Sequence, residues 1–344
     1  MQKPVLVIKL GSATISNGDG SINQNIIKKI ADEIAALSSN WRVVLVSSGA
    51  VGSGKSSINN YKGTITERKA AAAVGNPILI QLYHNYFSKH GISVAQALCE
   101  RHHFSNRLQF LQLKETFTMF WNNNILPVVN ENDLVSNIEL KFSDNDELAT
   151  LIAVGFDADT LIICTSVGGF LNADNHIIPI VEKVDNNIQS YVVNDKSSLG
   201  LGGMLSKLTF TKLATSLGIK VIICGLQGND FFQSALEGLN GTAFLPQKSN
   251  FKARQKWLAG GSITLGNIIV DAGAAKALSG RKSLLTVGIK QIEGAFAAGE
   301  VVQLMNEENE IIGVAKVKLD AKEMHGLLAQ KNTIAAHADD IVIF

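Results

Sequence analysis

At 344 residues the chain has room for one to three domains and a substantial core. With 46% hydrophobic and 18% charged residues and a formal net charge of +1, it reads as a soluble globular protein whose field would gather neither nucleic acid nor a membrane surface. Its apolar runs are far shorter than a bilayer span and nothing resembles a signal peptide, so no membrane segment is expected and the cytoplasm is the default location.

From residue 5 to about 225, strand-like and helical patterns alternate. Val5-Leu6-Val7-Ile8-Lys9-Leu10 is an apolar run ending in Gly11-Ser12. Ile26, Ile27, Ile30, Ile34 and Leu37 then recur at helical spacing, with Asn23 as N-cap. Residues 42–46 return as a strand ending in Ser47-Ser48-Gly49-Ala50. Residues 67–87 are helical in composition but interrupted by Gly75-Asn76-Pro77. Strands are expected at 93–98, 125–129, 160–164 and 220–224, and helices at 104–122, 148–154 and 207–217. That rhythm predicts an α/β fold, a largely parallel sheet sandwiched by helices.

Between 167 and 193 short runs with turn residues suggest a small hairpin insertion. A polar stretch at 247–256 marks a domain boundary, giving domains 1–256 and 257–344. Beyond it, β-rich segments at 268–270, 283–285, 301–304, 311–318 and 341–344 surround one helix at 272–279, as in a small β-barrel.

Cys99, Cys164 and Cys224 are scattered, no CxxC spacing exists, and His102-His103 are adjacent. Neither a disulfide nor a structural metal is expected. Gly49-Ala50-Val51-Gly52-Ser53-Gly54-Lys55-Ser56 matches the P-loop pattern, but a long helix should then begin at Lys55, where Ser57-Ile58-Asn59-Asn60 is turn-like. We read it as a glycine-rich turn that lets substrate approach the backbone.

The polar clusters fall just after apolar runs, at the carboxyl edge where a parallel sheet presents a site. Read together, Ile8-Lys9-Leu10-Gly11, Ser47-Ser48-Gly49-Ala50, Pro127-Val128-Val129-Asn130-Glu131-Asn132-Asp133, Asp144-Asn145-Asp146 and Gly202-Gly203-Met204 with Lys207 resemble the amino-acid kinase family. Within it the chain is most similar to the branch that phosphorylates the γ-carboxylate of L-glutamate with ATP, the first step of proline synthesis. The C-terminal part, through Ile268-Ile269-Val270-Asp271-Ala272-Gly273 and Gly294-Ala295-Phe296, resembles a PUA domain.

The resemblance implies catalytic roles for Lys9, Lys207 and Asp146, the two lysines at the phosphoryl group and the aspartate orienting them. The implied contacts of glutamate are Ser48, Gly49, Asn130, Asp133 and Asn145, with Asp133 able to pair with the amino group. Those of ATP are Lys9, Gly11, Thr165, Ser166, Gly202, Gly203, Met204 and Lys207, with Mg²⁺ assisting. No general base is needed, because a carboxylate is already a nucleophile at neutral pH. Proline as feedback inhibitor, the glutamyl phosphate reductase as partner and a homo-oligomer are further implications.

The chain departs from the family at Thr165-Ser166, where Thr-Asp is usual, at Leu201 before the glycine pair, and at Lys114, where arginine is common. Ser166 therefore leaves open a catalytically weak sensor of glutamate or proline. A PUA-like part also raises RNA binding, but residues 262–344 carry eight Lys/Arg against ten Asp/Glu, where a phosphate-binding face should run basic.

Overall fold

The computed structural model describes residues 2–105, 107–134, 144–193, 203–248, 264–328 and 333–343. The chain divides into two compact units, Met1–His103 with Leu108–Ser249, and Asn250–Phe344 with Phe104–Arg107. The boundary expected at 256/257 lies outside the described residues.

The first unit is built on strands β1 (Val5–Leu10), β2 (Arg42–Ser47), β3 (Ser93–Cys99), β4 (Ile125–Glu131), β5 (Thr160–Cys164), β6 (Ile180–Val181), β7 (Lys220–Cys224) and β8 (Thr242–Phe244). They form one sheet in the order β3-β4-β2-β1-β5-β7-β8-β6, parallel throughout except where β8 runs against β7. The helices are α1 (Ser12–Ile15), α2 (Gln24–Leu37), α3 (Ala50–Gly54), α4 (Ile65–Phe87), α5 (Arg101–Ser105), α6 (Arg107–Asn122), α7 (Asn145–Gly155), α8 (Asn186–Val193), α9 (Met204–Ser216) and α10 (Phe231–Leu236).

Central strands buried on both faces read as continuous apolar runs, and all six residues of β1 are buried. Alternate residues still part company. Leu6, Ile8 and Leu10 join a core with Val43 and Leu45 of β2, the buried face of α2 (Ile27, Ile30, Ile34) and Leu79, Tyr83 and Phe87 of α4. Lys9, between Ile8 and Leu10, is thereby turned to the opposite layer, where α7 packs on β1 and β5 and α9 packs on α7 and β7. One period-2 alternation thus delivers a lysine from the sheet to α7.

The helix α2 starts where expected, with Asn23 Oδ1 accepting from the backbone N–H groups of Asn25 and Ile26. The interruption expected at Gly75-Asn76-Pro77 is overturned, since α4 runs unbroken for 23 residues with Pro77 inside it. A capping box between Thr64 and Glu67 starts the helix, and buried Ala71, Ala72, Gly75, Leu79, Tyr83 and Phe87 hold it along its length. Packing outweighs the one backbone hydrogen bond that proline removes. The glycine serves the crossing with α3: a Cβ on Gly75 would lie 1.8 Å from the Ala50 carbonyl oxygen, and one on Gly54 2.0 Å from that of Ala71.

Other boundaries shift. The helix expected over 104–122 is two, α5 and α6, while α7 and α9 each begin three residues earlier than the apolar pattern suggested. In the 167–193 segment only the bridge between Leu171 and Ile177 is hairpin-like. Its remainder supplies β6, which pairs in parallel with β8, and the helix α8.

The second unit holds β9 (Thr264–Val270), β10 (Leu284–Leu285), β11 (Ile289–Gly294), β12 (Val301–Met305), β13 (Ile311–Lys316), β14 (Ile334–Ala336) and β15 (Ile341–Ile343). Five strands run β11-β9-β12-β13-β15, with β9 and β12 parallel and the other pairs antiparallel, and β10 pairs with β14. Ile268, Val270, Val302, Leu304, Ala315 and Ala336 share one core. The helix Ala272–Ser279 is capped by Asp271, whose Oδ1 accepts from Ala274 N–H at 2.7 Å. The strand β11 escaped the pattern because a register shift between Ile289 and Gln291 spaces its buried residues, Ile289 and Ile292, three apart.

Gly75→Ala is expected to destabilise the protein by about 2 kcal/mol or more, because the neighbour it meets is backbone that cannot turn aside. Gly18→Ala, with nothing within 4 Å of the new carbon, should change stability little. Equal denaturant midpoints for the two variants would show that the α3–α4 crossing is not tight.

Candidate active site

The carboxyl ends of β1, β2, β4 and β5 open onto a cavity of about 530 Å³ in the first unit. Its wall brings together Lys9, Gly11, Ser48, Gly49, Asn130, Asp133, Asn145, Thr165, Ser166 and Lys207, residues drawn from across 200 positions of the sequence. Asp146 lies directly beneath, with no solvent exposure. Gly203 is the N-cap of α9 and Met204 its first residue, neither on the cavity wall among the described residues. Gly202 and Leu201 lie outside the described residues.

At the floor, Lys9 Nζ is 2.6 Å from Asp146 Oδ1, and Lys207 Nζ donates to Asp146 Oδ2 at 3.0 Å. Both lysine side chains are about nine-tenths buried. Two cations converging on one carboxylate place their ammonium groups at the cavity floor, a setting that favours an anion.

Asp144, not Asp146, is the N-cap of α7. Its Oδ1 accepts from the N–H groups of Asp146 at 2.8 Å and Glu147 at 3.1 Å, which frees the Asp146 side chain for the lysines. Its Oδ2 accepts from Ser206 Oγ at 2.6 Å, tying the first turn of α9 to the first turn of α7. Sequence reasoning quoted the Asp144-Asn145-Asp146 cluster but gave Asp144 no role. The signal was there, a carboxylate directly before a run of helix formers. Glu147 is in turn ion-paired with Arg101.

The other wall is a chain of amides. Asn145 Nδ2 donates to Ser48 Oγ at 2.8 Å and to Asn130 Oδ1 at 3.1 Å, and Asn130 Nδ2 donates to Asn76 Oδ1 at 3.2 Å. With both Nδ2 hydrogens so used, Asn145 has only its carbonyl oxygen to offer, an acceptor suited to an ammonium group. The Ser48 hydroxyl accepts from Asn145 and keeps its own proton for a carboxylate. Asn76, buried in the middle of α4, carried no signal in the sequence beyond its place beside Pro77. Gly49 at the entry to α3 has φ +107°, and a Cβ there would lie 2.9 Å from Ile15 Cδ1.

Thr165 and Ser166 line the same cavity, Ser166 exposed and bringing no carboxylate. Lys55, the lysine of the P-loop-like stretch, points elsewhere, its Nζ donating to the Asp19 carbonyl at 2.8 Å. The three cysteines are free and buried. Among the described residues no group of three or more His, Cys, Asp and Glu is placed to hold a metal ion, and no helix is long and apolar enough to cross a membrane.

Comparison with known proteins gives the same grouping. The profile of the amino acid kinase family matches residues 4–225. The chain belongs to the amino acid kinase family. That of the PUA domain matches residues 266–333. Among curated proteins, the chain is 37% identical to a glutamate 5-kinase of Aquifex aeolicus, covering 98% of this chain and 99% of that one. A glutamate 5-kinase of Bacillus cereus is 36% identical over 94% and 92%, and one of Klebsiella pneumoniae 34% over 99% of each. Among solved structures, a carbamate kinase from Giardia lamblia bound to AMP-PNP superposes with a TM-score of 0.51 at 18% identity, covering 71% of this chain and 99% of that one, a likeness of fold.

Asp146→Ala would remove the carboxylate that two mostly buried ammonium groups share. We expect a loss of about 3 kcal/mol or more in urea unfolding. An unchanged midpoint would mean that both lysines reach water and that the cluster does not hold the site together.

Burial pushes the Cys99 thiol up to about 12, and burial with the neighbouring Cys224 thiol holds Cys164 well above the ordinary range. Thiols raised in the folded state favour folding fully below the unfolded value of about 8.5, and that contribution is lost as pH climbs toward the folded value. Native protein should therefore resist iodoacetamide at about pH 8.5, react at three sites once unfolded, and lose stability at more alkaline pH. Rapid alkylation of the native protein would show that these thiols open to solvent.

Proposed function

We infer that this protein is an ATP-dependent phosphotransferase that converts L-glutamate to L-glutamyl 5-phosphate, the first step of proline biosynthesis. The observation that carries this reading is the match, over nearly the whole chain, to proteins named glutamate 5-kinase. The geometry supports it, because phosphoryl transfer asks for positioned cations and little covalent chemistry, and the cavity floor offers two.

In this reading an oxygen of the γ-carboxylate attacks the γ-phosphorus of ATP. The bond from that phosphorus to the β,γ-bridging oxygen breaks, and ADP leaves with the electron pair. Lys9 and Lys207 neutralise charge on the phosphoryl oxygens, and Asp146 holds both ammonium groups so that little reorganisation is needed. Asp133 and the Asn145 carbonyl oxygen receive the substrate ammonium. Ser48 donates to a carboxylate, and Gly49 lets the substrate approach the backbone. Asn130 fixes the Asn145 amide.

Gly11, Thr165, Ser166, Gly202, Gly203 and Met204 border the nucleotide. Both Asp146 oxygens face lysines, so Mg²⁺ would be carried by the nucleotide phosphates. When bound, the ion supplies further charge neutralisation at the phosphates. Domains of 1–256 and 257–344, a cytoplasmic setting, inhibition by proline, a homo-oligomer and hand-over of the labile acyl phosphate to glutamyl phosphate reductase complete the proposal.

Hydroxylamine trapping of the acyl phosphate, with MgATP and glutamate, N-acetylglutamate or aspartate in parallel, tests it. Hydroxamate from glutamate alone is expected. Product only from another acid would refute the substrate assignment. Lys9→Ala and Lys207→Ala should each lower turnover by roughly 10² or more, and a near-normal rate in either would remove that lysine from the reacting centre.

A further inference from the structure

Among the described residues three cations line the cavity. Lys9 and Lys207 are both held by Asp146, and the third is Arg68. Arg68 follows the Thr64 cap of α4 by four residues, and its backbone N–H donates to the Thr64 carbonyl. Its exposed side chain makes no ion pair or hydrogen bond among the described residues. A guanidinium on a cavity wall with no partner among the described residues is a group left available for a ligand.

Its place decides which part of a ligand it meets. The helix α4 packs on the sheet face formed by Leu6, Ile8 and Leu10, whereas Lys9, α7 and α9 occupy the opposite layer. Three residues beyond Arg68, Ala71 touches Gly54 of α3, the helix that follows Ser48-Gly49 directly. Arg68 therefore stands on the Ser48 side of the cavity, apart from the floor cations Lys9 and Lys207.

We propose that Arg68 is the specificity-determining contact for the α-carboxylate of the amino-acid substrate, an assignment that rests on the glutamate reading above. L-Glutamate carries a reacting carboxylate at one end and an ammonium and a second carboxylate at the other. Among the described residues, the ionic groups of the wall away from the floor are Glu131, Asp133, Asp144 and Arg68. The acids suit the ammonium and repel the α-carboxylate, and the guanidinium does the reverse. Arginine's planar fork can take a carboxylate through two parallel N–H···O bonds, fixing the α-carbon as well as binding it. A substrate with a neutral group in that place forgoes this charge-assisted pair, which is how the site prefers the carboxylate.

The test compares wild type, R68M and R68K by hydroxamate formation from L-glutamate and from L-glutamic acid α-amide (isoglutamine), which keeps the shape and the γ-carboxylate but not the α charge. Wild type should favour glutamate in kcat/KM on the order of 10²-fold, the worth of a charge-assisted pair. R68M should lose that preference through KM for glutamate, with kcat and the α-amide reaction changed little. R68K should keep part of the preference. A wild-type preference retained in R68M would overturn the assignment, as would an equal fall in kcat for both substrates, the mark of a structural role. Absence of hydroxamate from glutamate with wild type would instead overturn the proposed function, and this assignment with it.

Discussion

The site depends on one buried carboxylate shared by two ammonium groups. Asp146 is sealed from solvent, and Lys9 and Lys207 approach its two oxygens from a strand and a helix almost 200 residues apart. Burying ions costs more than the attraction of one pair returns unless the geometry is good and the remaining charge is met. Here one carboxylate draws two ammonium groups to the floor of a cavity, where they favour an anion, and a transferring phosphoryl group is one.

The parallel sheet makes that cluster possible. In β1 all six residues are buried, so a lysine can end the strand only by facing a layer that supplies a counter-charge. The register of β1 with β2 and β5 sets Leu10 beside Ser47 and Cys164, which starts Gly11, Ser48 and Thr165 at one edge of the sheet. The helices that follow bring small residues to that edge. The α3–α4 crossing, closed by Gly54 and Gly75, draws the Ser48-Gly49 turn and Arg68 to the same cavity.

Much of this was legible in the sequence, and the failures are as physical as the successes. The apolar runs of β1, β2, β5 and β7 were visible because strands covered on both faces need no polar alternation. Lys9, Asp146 and Lys207 stood out through clusters that a resemblance could join, though spacing alone could not have brought them within 3 Å. Pro77 misled because a local rule of backbone chemistry was applied to a helix whose tertiary packing is dense. The strand β11 misled because a bulge shifted its buried residues off the expected period. Asn76 and Arg68 were unreadable for another reason. Both sit on α4, whose role at the site follows from its crossing with α3 and not from any pattern along its own length.

Asp144 shows how closely the helix termini and the chemistry are coupled. One of its oxygens caps α7 and the other accepts from Ser206 of α9, so a single carboxylate sets two helix N-termini side by side. Each terminus carries partial positive charge from its helix dipole, and an anion between them is favoured over water. The tether also fixes Lys207, the next residue after Ser206, relative to Asp146, two residues after Asp144. With Ser166 exposed on the cavity wall, the distance between the two halves of the cation cluster is still set by this cap.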